Sequence, residues 1–275
     1  MNITKMHGAG NDFIMINNFR EKLQKESLSA LAVKLCERRM SVGADGLMVL
    51  DKAEKGGDYR MIFYNADGSE GEMCGNGSRC VARFAFEEGI GGEVQHIETL
   101  SGTVTAWRVN TVQYRVRLND PSVIQLNKSI LVDNNLIICD YVELGSPGLP
   151  HAVVEFPKLD HISDDKLRSL GATLRHAPEF PKGANVNFWR RIDDDSFEVR
   201  TFERGVEDFT LACGTGCGST AAALTLHGLC SGKNVHLLCR GGELILNVTR
   251  CGDSISDIMM TGPTRVVFRG EYYLE

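Results

Sequence analysis

Met73-Cys74-Gly75-Asn76-Gly77-Ser78 and Ala212-Cys213-Gly214-Thr215-Gly216-Cys217 carry one pattern, Cys-Gly-x-Gly, twice in a chain of 275 residues. The second cysteine follows the first by 139 positions, about half the length. The surroundings match too. Tyr59 to Tyr64 reads as a strand stopping at Asn65-Ala66-Asp67-Gly68, and Ser196 to Phe202 as a strand stopping at Glu203-Arg204-Gly205. Phe63 and Phe202 each precede their cysteine by eleven positions. Ser78 to Phe86 and Ser219 to His227 read as helices ending near Gly89 and at Gly228.

Weaker echoes keep the same order. Gly43-Ala44-Asp45 matches Gly183-Ala184-Asn185, His7 loosely matches His151, and Ser101-Gly102 matches Gly241-Gly242, all at offsets of 139 to 144. Ordered matches of this kind predict a tandem duplication. The expected architecture is two pseudosymmetric α/β domains, each with a helix that opens at its Cys-Gly-x-Gly turn. The boundary is expected near Asp120-Pro121, where proline and polar residues follow the strand-like Tyr114 to Leu118. Ser27 to Arg38 and Ser163 to Arg175 read as amphipathic helices, each opening on a serine able to cap it.

Composition narrows the function. At 43% hydrophobic and 24% charged residues, the chain has the make-up of a globular protein with a real core. Thirty basic against 36 acidic residues, a net charge of −6, speak against a nucleic-acid partner. No apolar run approaches membrane-spanning length, and the first residues lack the apolar stretch of a signal peptide. Nine cysteines are an odd number, and no pair has Cys-x-x-Cys spacing. Free thiols in a reducing cytoplasm are expected, with no metal site.

A cysteine at a helix start has a distinct chemistry. The unpaired N–H groups and the positive end of the dipole favour its thiolate, and they also bind a carboxylate. Pseudo-twofold symmetry would set Cys74 and Cys213 facing each other across an interdomain cleft. A thiol on each face of one carbon suits inversion, in which one group removes a proton and the other returns one. The α-carbon of an amino acid is the natural target, its carboxylate held between two helix starts. Cys80 and Cys217, inside the helices, read as core. A Cys-His hydrolase gives no reason for a second matched cysteine. Gly75-Asn76-Gly77 is neither a Walker loop nor a full dinucleotide fingerprint.

The segments Met6-His7-Gly8-Ala9-Gly10-Asn11-Asp12-Phe13, Asn65 to Glu70 with Met73 to Cys80, and Glu203-Arg204-Gly205 with Ala212 to Gly216 together resemble the diaminopimelate epimerase family. The resemblance spans essentially the whole chain, in order. It implies two domains, each a curved, barrel-like sheet around a central helix, with the active site in the cleft between them. The domains are then 1–120 and 121–262, with a C-terminal strand in 263–275 returning to the first. It implies a homodimer and inversion of LL- to meso-diaminopimelate by two cysteines, without cofactor or metal, on the way to lysine and peptidoglycan.

Carried over residue by residue, Cys74 and Cys213 look like the acid/base thiols. Gly75, Asn76, Gly214 and Thr215 look like donors to the carboxylate at the reacting centre. Asn11, Asn65, Asn185, Glu203 and Arg204 look like the groups that read the distal amino-acid head; an arginine can clamp a carboxylate and a glutamate can pair an ammonium. Two positions depart from the family pattern. Leu149 stands where many members have asparagine, and Gly46 where some have glutamine. They leave a histidine or broad-specificity amino-acid racemase as the alternative, and a non-catalytic amino-acid-binding protein as a third reading.

Overall fold

The computed structural model describes residues 1–132 and 135–273. Two compact units emerge: Met1–Arg117 together with Thr261–Glu275, and Leu118–Met260.

The first unit holds β1 (Asn2–Gly8), β2 (Asn11–Asn17), α1 (Asn18–Glu21), α2 (Lys25–Cys36), β3 (Gly46–Asp51), β4 (Tyr59–Asn65), β5 (Glu70–Gly71), α3 (Gly75–Glu87), β6 (Val94–Thr99), β7 (Gly102–Arg108) and β8 (Gln113–Arg117). β2 runs parallel to β3, with α1 and α2 in the crossover. β4 runs parallel to β6, with α3 in the crossover. The pairs β1–β2, β3–β4, β6–β7 and β7–β8 are antiparallel.

The second unit repeats this plan with β9 (Pro121–Val132), β10 (Asn135–Leu144), β11 (Leu149–Glu155), α4 (Asp164–Arg175), β12 (Asn185–Asp193), β13 (Ser196–Glu203), β14 (Asp208–Phe209), α5 (Gly214–Leu226), β15 (Val235–Cys239), β16 (Gly242–Cys251) and β17 (Ser254–Pro263). Again two parallel pairs enclose the helices: β11–β12 around α4 and β13–β15 around α5. A last strand, β18 (Arg265–Glu271), pairs antiparallel with β1. The fold is mixed α/β, as the duplicated pattern predicts. Among the described residues no helix is long and apolar enough to cross a membrane.

Periodicity explains the layers. In the first unit Ile14, Ile16, Leu47, Val49 and Ile62 pack on Leu28, Leu31, Ala32 and Leu35 of α2. The alternate residue Met48 points the other way and reaches the start of α3, so β3 is buried on both faces. That is why these central strands read as unbroken apolar runs. Burial of each leucine contributes about 1.5–3 kcal/mol, and Leu35→Ala would cost about 2–5 kcal/mol through lost contact and cavity. In the second unit Val154, Val186, Phe188 and Phe202 pack on Leu167 and Leu174 of α4 in the same way.

The echo between Gly43-Ala44 and Gly183-Ala184 has a backbone cause. Gly43 (φ 73°) and Gly183 (φ 63°) both take the left-handed conformation that glycine tolerates. Each turns the chain from α2 or α4 into the next strand, and each is followed by a buried alanine.

The expected serine caps are not used. Gln24 precedes α2, and Ser163 stands at the N-cap of α4 without a side-chain capping bond. Side-chain capping is instead found at α1, where Asn17 does it, and at α3 and α5, where cysteine does it.

Candidate active site

Cys74 is the N-cap of α3 and Cys213 the N-cap of α5. Both have extended backbones, at φ −137° and −104°. Each sulfur accepts the N–H three residues on, Gly77 and Gly216, at 3.4 Å. Serine or aspartate normally fills this place, because a short acceptor side chain satisfies one of the orphan N–H groups. Cysteine there becomes a sulfur aimed at a helix N-terminus.

Both helices start in crowded surroundings, which explains the second glycine of each motif. A Cβ on Gly77 would lie 2.1 Å from Met48 Cε, and one on Gly216 would lie 2.2 Å from Asn187 Oδ1.

Around Cys74, the thiol donates to Asn11 Oδ1 at 3.4 Å. Gly75 and Asn76 form the first turn of α3 and are buried; Asn76 Oδ1 accepts from Arg79 Nη2 at 2.9 Å. Asn65, the last residue of β4, donates to Ser69 Oγ at 3.0 Å.

Around Cys213 the setting is more enclosed. The residue is 7% exposed. Its sulfur lies 3.5 Å from Thr215 Oγ1 and is hydrogen-bonded to Glu203. Burial, then the Glu203 charge, push this thiol well above its ordinary pKa, against the smaller opposing pull of Thr215 and Gly216 N–H. The lowered pKa expected from a helix start is therefore overturned at Cys213: desolvation of a thiolate outweighs the helix end. Glu203 Oε1 also accepts from Thr210 Oγ1 at 2.5 Å. Asn185 Oδ1 accepts Arg204 N–H at 2.7 Å, and Arg204 Nη1 donates to the Lys182 carbonyl at 3.1 Å.

The first unit thus gathers Asn11, Gly75 and Asn76 with Cys74, and the second gathers Glu203, Gly214 and Thr215 with Cys213. Asn185 is joined to Arg204 through its backbone. Gly46 also finds a cause: a Cβ there would lie 2.6 Å from the Phe63 ring, which leaves no room for a glutamine side chain. Leu149 begins β11 beside Leu144.

Two residues escaped the sequence reading. His151 is fully buried on β11, and its Nε2 has no hydrogen-bond partner among the described residues. Burial and the charge of Arg204 push its pKa down to about 3, so the ring is neutral. Asn187 donates to Ala152 O at 3.1 Å, lies 3.3 Å from His151 Nδ1, and accepts from Thr201 Oγ1 at 2.9 Å. The Ala152 carbonyl fixes the amide orientation, so Nδ1 is the acceptor and Nε2 carries the proton. The loose match of His151 to His7 was a faint trace of this in the sequence. Among the described residues no cluster of three or more His, Cys, Asp or Glu side chains is placed to hold a metal ion.

Several solved structures share this fold. One is a probable proline racemase from Agrobacterium radiobacter K84, at TM-score 0.72 and 20% identity, covering 100% of this chain and 93% of that one. Another is a hydroxyproline epimerase from Agrobacterium vitis, at TM-score 0.69 and 18% identity, covering 98% and 91%. At these identities the likeness is one of fold.

The sequence pattern of diaminopimelate epimerase matches residues 3–123 and 145–267, once in each half. The protein of that name from Aquifex aeolicus (strain VF5) is 38% identical over 279 residues, spanning 98% of this chain and 97% of the relative. That from Bacillus subtilis (strain 168) is 37% identical over 292 residues, spanning 98% of each. The chain belongs to the diaminopimelate epimerase family.

Proposed function

We propose that the enzyme inverts an α-carbon of diaminopimelate, interconverting the LL and meso forms, with Cys74 and Cys213 as acid and base on opposite faces of that carbon. The observation that carries this reading is the pair of cysteine N-caps, one at each duplicated helix, in a chain of this family. One sulfur takes the α-proton as thiolate while the other, as thiol, delivers a proton to the opposite face. The roles exchange when the substrate has the other configuration. N–H groups at the starts of α3 and α5, from Gly75, Asn76, Gly214 and Thr215, bind the substrate carboxylate and stabilise the charge that develops on it. The chemistry so described calls on no metal or cofactor.

Glu203, Arg204, Asn185, Asn65 and Asn11 serve the distal amino-acid head in this reading. Glu203 has a second task, because it touches the Cys213 sulfur: its carboxylate can take the thiol proton and leave a thiolate base. The enzyme works as a cytoplasmic homodimer.

The test is α-proton exchange in D₂O with LL-diaminopimelate, meso-diaminopimelate, L-histidine and L-proline. Exchange confined to the two diaminopimelates supports the assignment. Faster exchange of histidine, the outcome that Leu149 would favour, replaces it with an amino-acid racemase. No exchange with any of them leaves a binding protein. Sedimentation equilibrium at micromolar concentration checks the dimer, and a single monomer-sized species overturns it.

A further inference from the structure

Asn11 opens β2 with its side-chain amide between two partners of opposite demand. Nδ2 donates to Asp45 Oδ2 at 2.7 Å, while Oδ1 accepts the Cys74 thiol at 3.4 Å. Asp45 is itself held from several sides. Its Oδ2 also accepts Asp12 N–H at 3.1 Å, and its Oδ1 accepts Arg38 Nη2 at 2.9 Å. Its own N–H donates to the Asp12 carbonyl at 2.9 Å and to Asp12 Oδ1 at 3.0 Å. Asp12 is paired with Lys5 and Arg38, each at 2.7 Å. Against the opposing cost of burial, hydrogen bonds from Arg38 and Lys5 hold the Asp12 carboxyl below its ordinary pKa.

A carboxylate offers acceptors only. Asn11 must therefore turn its NH₂ to Asp45, and its carbonyl oxygen is left facing the sulfur. An acceptor on a thiol favours the protonated form; a donor favours the thiolate. Cys74 sits between one of each, Asn11 Oδ1 and Gly77 N–H. On the strand side of Asn11 stand the ion-paired groups Asp45, Asp12, Lys5 and Arg38, and Arg79 lies five residues beyond Cys74 on α3.

We propose that Asp45 is a positioning residue that, by fixing the Asn11 amide, keeps Cys74 in its protonated, proton-donating form in the resting enzyme. The proposal rests on the two-thiol reading of function. Position 45 is also where the duplication diverges chemically. Its counterpart Asn185 is a neutral amide that accepts the Arg204 N–H, so the device belongs to the first unit alone.

The Asp45 side chain is 46% exposed, so replacing it leaves the core untouched. In Asp45→Asn the new amide can donate to Asn11 Oδ1, which lets Asn11 turn its NH₂ toward the sulfur. The pH midpoint for iodoacetamide alkylation of Cys74, resolved by peptide mapping, is expected to fall by roughly one pH unit. Cys213 keeps its wild-type midpoint. Asp45→Ala, which merely frees the amide, shifts Cys74 in the same direction by less. Asp45→Glu, still an acceptor only, leaves the midpoint in place. Alkylation reports the thiol whether or not a given substrate turns over, so this result is separable from the substrate assignment. An unchanged Cys74 midpoint in both Asp45→Asn and Asp45→Ala, or equal shifts at Cys74 and Cys213, overturns the proposal.

Discussion

The two helix starts share one backbone design, down to the N–H that each sulfur accepts, and differ in the side chains beside the sulfur. Cys74 is half-buried and meets a neutral amide whose orientation a carboxylate fixes. Cys213 is buried and meets a carboxylate directly. Duplication supplied two equivalent thiols; the side chains around them then diverged. A thiol beside an amide acceptor is poised to give a proton. A thiol beside Glu203 has a group at hand to receive one. In the proposed mechanism two residues of the same type thus take complementary jobs from their neighbours rather than from the helix ends they share.

The largest expected effect tests whether both thiols matter. Cys74→Ala and Cys213→Ala should each lower epimerisation by at least about a thousandfold, as loss of an acid or base and its geometry implies, with the circular dichroism spectrum unchanged. Either variant retaining a tenth of wild-type turnover breaks the comparison at its root.

The matched histidines offer the next test. His151 is buried with its pKa lowered to about 3, whereas His7, half-buried, is lowered less securely by burial and Arg265, with Asp12 pulling the other way. An unfolded histidine titrates near 6.5, so the unfolded chain binds a proton that the folded state refuses. The resulting stabilisation is present above about pH 6.5 and is lost as pH falls toward the folded value, at up to about 1.4 kcal/mol per pH unit. Urea unfolding between pH 6.5 and 4.5 should show this slope. His151→Gln should flatten it while His7→Gln changes it little; the reverse pattern would place the acid sensitivity in the wrong unit.

A third measurement sharpens the electrostatic contrast. Glu203→Gln removes the charge that raises the Cys213 thiol, so its alkylation midpoint should drop by roughly one to two pH units. The Cys74 midpoint should stay where it was. If Cys213 does not move, burial alone governs that thiol.

The smallest effect concerns the two crowded glycines. A methyl group at 77 meets the flexible end of Met48, which can swing aside; one at 216 meets Asn187, locked by its bonds to Ala152 and Thr201. Gly77→Ala should cost less than about 1 kcal/mol and Gly216→Ala about 1–3 kcal/mol in urea unfolding, as overpacking against a rigid neighbour does. Equal costs would mean that Asn187 is not held as described.

What the sequence made legible was whatever is local. The Cys-Gly-x-Gly turn, the glycines at 43 and 183 and the helices after each cysteine are written in a few adjacent residues, because φ angles and caps are short-range demands. The raised pKa of Cys213 was not legible, since burial is supplied by the rest of its unit. Nor was the role of Asn187, whose partners at 151, 152 and 201 meet only through β11, β12 and β13. Gly46 looked like a departure bearing on substrate choice. Its cause is the Phe63 ring on the neighbouring strand, a packing fact that no spacing rule reveals. The serine caps misled as well: α2 begins two residues before Ser27, and Ser163 stands at the N-cap of α4 without a capping bond.

One topological detail governs the order in which the molecule can be made. β1 pairs with β18, so Asn2 lies opposite Glu271. A ribosome adding roughly 5–20 residues per second leaves that edge of β1 waiting from about ten seconds to a minute for its partner. The second unit is one uninterrupted stretch, Leu118–Met260, and has every strand it needs before β18 emerges. The first unit, although synthesised earlier, is the later to close. Until then its exposed strand edge is open to pairing with another chain, and a nascent chain stalled before residue 265 would carry a finished second unit behind an unfinished first.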